Sequence, residues 1–262
     1  MDTVKKTALI TGASQGIGAE FARLFAKDGY NLILIARQLD KLNEIKSSLE
    51  TEYKIKVTVL QKDMCRFSAP QEIFDFTKSL NCKIDTLVNN AGFGDWGFFA
   101  QSDLKKQQEM IQLNITALTT LTYLFLPQMI ESNSGKILNT ASVASFMPGA
   151  KMAVYYASKA FVRSFSEALA VELKKTGSHV SVTALCPGPV KTDFWNRAEA
   201  QKSSLSRFLL FADCKKVAKY GYKKMMRGKV LALPCLSVQF FAFLTKILPR
   251  SWTRKLVYFV QK

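Results

Sequence analysis

TALITGASQGIGAEFARLFAKDG, residues 7–29, decides how the rest of the chain is read. Its first five residues, TALIT, are an apolar run of strand length, and a glycine-rich turn follows at once. From about Gly16 to Asp28 the apolar residues Ile17, Phe21, Leu24 and Phe25 fall on one face of a helix, which Gly29 stops. A strand that turns through glycines into a helix aims the helix's free N–H groups and its positive dipole end at the turn, where a phosphate is welcome. Gly12, Gly16 and Gly18 permit the tight turn and the close backbone approach that a pyrophosphate needs. Their spacing, GxxxGxG, differs from the GxGxxG fingerprint, and a glycine-rich loop alone is a weak sign.

The same alternation continues. NLILIA (31–36), KVTVLQ (56–61), TLVNNAG (86–92), KILNTAS (136–142) and HVSVTALCPG (179–188) read as strands. Helical patterns separate them: Asp40 to Glu52, a segment after Pro70, a long helix from about Lys105 to Met129, and Tyr155 to Lys174. Short buried strands alternating with helices predict an α/β fold, a single-domain, Rossmann-like, doubly wound parallel sheet with helices on both faces. No linker divides residues 1–262, so one domain is expected, with a cofactor half to about residue 135 and a catalytic and substrate half from about 136. VLAL (230–233) is expected as a last strand and 237–248 as a last helix. Val230 to Thr245 is uncharged, but Pro234 interrupts it and it is shorter than the ~20 residues of a membrane span.

Composition excludes several classes. One histidine, His179, at the start of a strand pattern and read as structural, and five scattered cysteines without a CxxC offer no His-rich or Cys-pair metal site. The cysteines read as reduced structural thiols, and MDTVKK runs directly into TALI without a signal-peptide pattern, so a cytoplasmic location is expected. The net charge of +17 is uneven: residues 1–192 hold 22 Lys and Arg against 17 Asp and Glu, residues 193–262 hold 15 against 3. Such a basic segment suits a phosphorylated substrate, an acidic partner or weak peripheral contact with an anionic membrane, and equally a plain solvated surface. No nucleic-acid motif accompanies the charge.

Ser142 stands thirteen residues before Tyr155, and Tyr155 stands four before Lys159, so the phenol and the ammonium share one helix face. A nearby cation favours a phenolate, which is how a group titrating near ~10 becomes an acid–base catalyst at neutral pH. With TGASQGIG (11–18), NNAG (89–92), Ser142, YxxxK and CPGPVKT (186–192) in this order, the chain closely resembles the short-chain dehydrogenase/reductase family over residues 3 to about 192. The resemblance implies that Tyr155 is the acid–base residue, that Ser142 hydrogen-bonds the substrate oxygen, that Lys159 bonds the nicotinamide ribose and lowers the tyrosine pKa, and that Asn114 holds a water in the proton relay. It further implies cofactor contacts at Gly12, Ser14, Gly16, Ile17, Gly18, Asp63, Met64, Asn90, Pro187, Gly188, Val190 and Thr192, and a homodimer or homotetramer packed through the helices of Asn114 and Tyr155. Tyr156, three residues before Lys159, lies ~100° round the helix from Tyr155 and is assigned to packing.

Cofactor choice turns on the end of NLILIAR. An NAD-binding chain typically places an acid there for the ribose 2′-hydroxyl; here Ala36 and then Arg37 stand instead, and a guanidinium suits a 2′-phosphate, so NADP(H) is expected. Phe93, Trp96, Phe98, Phe99, Phe146, Met147, Pro148, Phe194 and Trp195 are the expected pocket walls, although aromatics also suit a core or a subunit contact. The expected activity is an NADP(H)-dependent carbonyl reductase or alcohol dehydrogenase acting on a small hydrophobic ketone, aldehyde or secondary alcohol. The alternatives are a 3-ketoacyl or long-chain acyl thioester reductase and an NADP-sensing binding protein, the last of which needs no intact Ser–Tyr–Lys set. The tail LTKILPRSWTRKLVYFVQK mixes Lys and Arg with Trp, Leu, Tyr and Phe, as an interfacial amphipathic segment does; packing on the domain or in an oligomer is the other use.

Overall fold

The structure, a computed structural model, describes residues 5–190 and 212–260. Seven parallel strands form one sheet in the order β3-β2-β1-β4-β5-β6-β7. They are β1 (Thr7–Thr11), β2 (Asn31–Ala36), β3 (Val57–Gln61), β4 (Thr86–Asn89), β5 (Lys136–Thr140), β6 (Ser181–Leu185) and the short β7 (Leu231–Ala232). The helices are α1 (Gly16–Lys27), α2 (Leu39–Tyr53), α3 (Ala69–Ser79), α4 (Leu104–Ile111), α5 (Leu118–Glu131), α6 (Ala153–Lys175), α7 (Cys214–Met226), α8 (Leu236–Ile247) and α9 (Arg250–Val260).

The period of two along the strands sorts the core into two layers. Ala8 and Ile10 of β1 and Leu32 and Leu34 of β2 face Phe21 and Phe25 of α1, Leu42 and Leu49 of α2, and Val217 and Met225 of α7. Leu9, Ile33 and Ile35 face the other way, against Ile73 of α3, Leu121 and Phe125 of α5, and Leu169 and Leu173 of α6. Burial on both faces is why these strands are continuous apolar runs rather than alternating ones. The chain first winds outward from β1 to β3, then restarts at β4 beside β1 and winds the other way. That reversal opens a crevice at the strand ends between β1 and β4, the place where such sheets bind ligands.

Two elements depart from expectation. The long helix is not uniform: α4 and α5 are joined by a π-helical segment, Gln112–Ala117, with Asn114 inside it. The helix expected at 237–248 is present as α8, ended where Leu248 precedes Pro249 and takes the extended conformation the proline ring imposes, φ −72° and ψ 139°; beyond it the tail forms a further helix, α9, that was not expected.

The β1–α1 turn is packed too closely for a side chain. Gly12 adopts φ 66°, and a Cβ on Gly18 would meet the Gly12 carbonyl oxygen at 2.3 Å and the Asn90 amide nitrogen at 2.6 Å. Alanine outscores glycine by about 1 kcal/mol inside a helix, but a backbone oxygen at that distance cannot yield. Gly18→Ala is therefore expected to destabilise by about 2–3 kcal/mol net, lowering Tm by roughly 5–10 °C in a thermal melt; an unchanged or raised Tm would contradict the packing described.

Candidate active site

A cleft of about 610 Å³ occupies the crevice, lined from the β1–α1 turn at one end to α8 and α9 at the other. Gly12, Ser14, Gln15, Gly16 and Ile17 form its floor at the start of α1. No side chain caps that helix and no acid sits in its first turn, so its N–H groups are left for an anion. Asn90, at the end of β4, fixes the turn: its amide donates to the carbonyls of Thr11 (3.1 Å) and Gly12 (3.3 Å), and its N–H donates to Thr11 Oγ1 at 3.0 Å. Gly18 does not line the cleft; it is buried against Gly12 and Asn90 and acts by letting α1 approach. The donors and the glycine cradle fit a dinucleotide pyrophosphate.

Beyond the turn the cleft runs past Ala36, Arg37, Gln38, Lys62, Asp63, Met64 and Cys65. Ala36 is buried at the end of β2 and Arg37 is exposed at the rim, its carbonyl held by the Gln61 amide at 2.9 Å. Lys62 is ion-paired with Glu72, whereas Arg37, beside β2, makes no ion pair among the described residues. Burial and the Asp63 carboxylate push the Cys65 thiol up to about 12, so it is an inert wall.

At the centre the structure brings Ser142, Tyr155 and Lys159 together, each lining the cleft. Ser142 follows β5, and its Oγ accepts a hydrogen bond from the Ala144 N–H (3.1 Å), which orients the hydroxyl. The Tyr155 hydroxyl is hydrogen-bonded to Ser142. Its ring is partly accessible from the cleft, yet the surrounding protein pushes the phenol up to about 12, with the Ser142 bond pulling the other way. Lys159 is buried and donates to the Thr140 carbonyl at 2.7 Å. Its ammonium lies 5.9 Å from the centre of the Tyr155 ring. Burial lowers Lys159 itself to about 8. Desolvation of the phenol, and not the neighbouring ammonium, thus sets the direction here.

Asn114 does not line the cleft. It works one layer back: its amide donates to the Phe93 carbonyl (3.0 Å) and to Ser158 Oγ (3.0 Å), and its Oδ1 accepts from the Phe93 N–H (3.2 Å). The π-helical segment supplies the offset that points this one side chain at the loop after β4, in keeping with the concentration of such segments at functional sites. Gly92 lies in contact with both groups, since a Cβ there would meet Asn114 Oδ1 at 3.0 Å and Lys159 Nζ at 3.2 Å.

The far end of the cleft is apolar: Phe93, Val143, Ala144, Met147, Met152, Tyr156, Val238, Phe241 and Val257. Of the expected walls only Phe93 and Met147 are among them. Trp96, Phe98, Phe99, Phe146 and Pro148 lie elsewhere, Phe98 and Phe99 being exposed, and Thr192, Phe194 and Trp195 fall outside the described residues. Tyr156 packs, as expected, over Gly149, where a Cβ would touch its ring at 2.4 Å, but it also lines the cleft with its ring edge-on to Tyr155 at 6.1 Å. Pro187, Gly188 and Val190 line the opposite side after β6.

Comparison with known proteins accords with this geometry. Residues 6–203 match the family model described as short chain dehydrogenase, and the chain belongs to the short-chain dehydrogenase/reductase family. Sulfoacetaldehyde reductase 2 from Chromohalobacter salexigens is 39% identical over 188 residues, which are 71% of this chain and 73% of that one. Among solved structures, a short-chain dehydrogenase from Sphingobium yanoikuyae in complex with NADPH superposes with a TM-score of 0.82 at 31% identity, covering 93% of this chain and 96% of that chain. The bulky-bulky ketone specific alcohol dehydrogenase from Comamonas testosteroni superposes with a TM-score of 0.78 at 28% identity, covering 95% and 97%. Other solved relatives hold NADP or NAD. The chain is an oxidoreductase of this family, and its cofactor is a nicotinamide dinucleotide.

Lys159 gives the site a measurable thermodynamic signature. Its pKa is depressed on folding from 10.5 to about 8, so between those values the unfolded chain holds more protons and stability rises with pH. Lys159→Met removes that contribution, while the Thr140 carbonyl it leaves without a donor costs the same at every pH. The stability difference between wild type and Lys159→Met, from denaturant melts, should therefore move in favour of wild type by roughly 2 kcal/mol between neutral pH and about pH 10. A pH-independent difference would show that the ammonium is not desolvated.

Proposed function

We propose that this protein is an NADP(H)-dependent oxidoreductase that moves a hydride between the nicotinamide and a hydrophobic ketone, aldehyde or secondary alcohol. The observation that carries the reading is the Tyr155 hydroxyl, hydrogen-bonded to Ser142 where the apolar end of the cleft meets the glycine cradle. When bound, the nicotinamide supplies or takes up the hydride. Ser142 and Tyr155 hold the substrate oxygen from two sides. With its pKa raised, Tyr155 is a neutral phenol at physiological pH, the form that gives a proton to a carbonyl oxygen as it gains charge. Lys159, still largely protonated near neutrality, donates to Thr140 and stands within reach of a ribose, and its charge offsets the phenolate left behind. Asn114 keeps Phe93 and Ser158 in register with these groups.

Arg37, beside Ala36, supports NADP over NAD: no carboxylate ends β2 to repel a 2′-phosphate, and the guanidinium is free to bind one through charge-assisted bonds. The apolar end supports a hydrophobic substrate. A sulfonated aldehyde, the substrate in the name of the relative from Chromohalobacter salexigens, needs a cation at its far end, and among the described lining residues that end has none. The exposed Tyr123 of α5 and Phe161 and Val171 of α6 suit the helix-paired homo-oligomer that the sequence leads one to expect.

Oxidation of NADPH by a panel of bulky ketones, 3-ketoacyl thioesters and small anionic aldehydes tests the reading directly. Tyr155→Phe should lower turnover at least ~100-fold while NADPH still binds; wild-type turnover in the variant would refute the chemistry. Ala36→Asp combined with Arg37→Gln should reduce the preference for NADPH over NADH, as a ratio of kcat/KM, by about 10- to 100-fold. Unchanged cofactor kinetics would remove the NADP assignment and leave the reaction type standing.

A further inference from the structure

The last two helices spend their hydrophobicity on the wrong side for a purely soluble surface. In α8, Val238 and Ala242 are buried, whereas Leu236, Phe240, Phe243 and Ile247 are 61–82% exposed. Those four stand at i, i+4, i+7 and i+11, which places them in one stripe along the helix. In α9, Thr253 and Val257 are buried, while Trp252 and Phe259, two turns apart on another face, are 65% and 76% exposed. Surface helices ordinarily turn a polar face outward; here the buried faces are narrow and the outer faces carry the large aromatics. A run of exposed apolar side chains of this kind marks a binding surface.

Charge identifies what the surface meets. Residues 236–260, which span both helices, contain four Lys and Arg and no Asp or Glu. On α9, Lys255 is exposed about 40–60° round the helix from the Trp252–Phe259 stripe, and Arg250 and Arg254 are exposed on the flank beyond the buried Val257. A second copy joined through this same face would bring two such cationic segments together, because a two-fold contact pairs each patch with itself. An acidic protein would satisfy the charge and leave the phenylalanine stripe facing polar groups. An anionic lipid surface satisfies both: headgroups for the lysines and arginines, acyl chains for the stripe, and a boundary zone where tryptophan and tyrosine are at home.

We propose that the outer faces of α8 and α9 dock on an anionic lipid bilayer. The inner faces of the same helices wall the apolar end of the cleft through Val238, Phe241 and Val257, so docking seats the substrate pocket at the membrane surface. A hydrophobic substrate then enters from the acyl phase rather than from water. That second step rests on the substrate reading of the preceding section; docking itself does not.

Co-sedimentation of the full chain with phosphatidylcholine vesicles, with and without phosphatidylserine, at low and high salt, tests it. Binding is expected to the anionic vesicles at low salt, and to weaken with salt and without phosphatidylserine. Phe243→Ser with Trp252→Ser, and separately Arg254→Glu with Lys255→Glu, should each weaken binding on the order of tenfold. Neither pair lines the cleft, so both variants should keep wild-type turnover on a water-soluble ketone, which shows that they fold. No sedimentation with anionic vesicles at low salt would overturn docking, as would equal binding to both lipid compositions or binding that ignores both variant pairs. A concentration-dependent dimer, lost in the serine variant without any vesicle binding, would assign the face to a second copy instead. Normal docking with no turnover of any ketone would leave the surface standing and sink the substrate reading alone.

Discussion

The approach of α1 to the turn after β1 is the constraint from which the rest follows. Gly18 sits so close to the Gly12 carbonyl that no side chain fits between them, and Asn90 bridges the end of β4 to the same turn. These contacts hold the two central strands in register at the ends where the winding of the sheet reverses. They also keep the first turn of α1 uncapped and pointed into the crevice. The phosphate cradle is therefore a by-product of how a helix and two strands can be packed at all.

From Asn90 the order propagates along the chain that follows it. Gly92 and Phe93 continue from β4 directly into the Asn114 side chain, which reaches in turn to Ser158, the neighbour of Lys159. Lys159 then bonds Thr140, the last residue of β5, two residues before Ser142. Catalytic groups from α6 and the end of β5 are thus positioned against a loop whose backbone is tied from behind. Each buried polar group in this relay has a partner, which lets it be stiff without being destabilising.

The sheet, its helices and the central triad of side chains were legible because their signals are local: strand periodicity, glycines at a turn, and two polar residues at i and i+4. The π-helical segment was hidden because it changes the hydrogen-bond step without disturbing the apolar pattern of QLNIT. The end of α8 was legible, since Pro249 bars its continuation; α9 was not, because the Lys, Arg and aromatic residues of the tail suit an interfacial segment as well as a packed helix. The substrate wall was mostly illegible. Aromatics next to catalytic motifs, such as Phe98 and Phe99, drew attention by proximity in sequence, whereas Val238, Phe241 and Val257 reach the cleft only through the tertiary path of α8 and α9. The Tyr155 pKa went the other way from expectation for a similar reason: the neighbouring cation is visible in the sequence and the desolvation is not.

The composition of the cleft has a consequence for how the molecule reaches its native state. Its floor is made by Gly12 to Ile17 and its far wall by Val257, so the cavity joins segments separated by nearly the whole length of the chain. Contacts of such long sequence separation form late and slowly, after the loop entropy between them has been lost. Until α8 and α9 arrive, Phe93, Met147, Met152 and Tyr156 face solvent as an open apolar groove. The nascent chain is consequently most prone to self-association before α8 and α9 cover that groove.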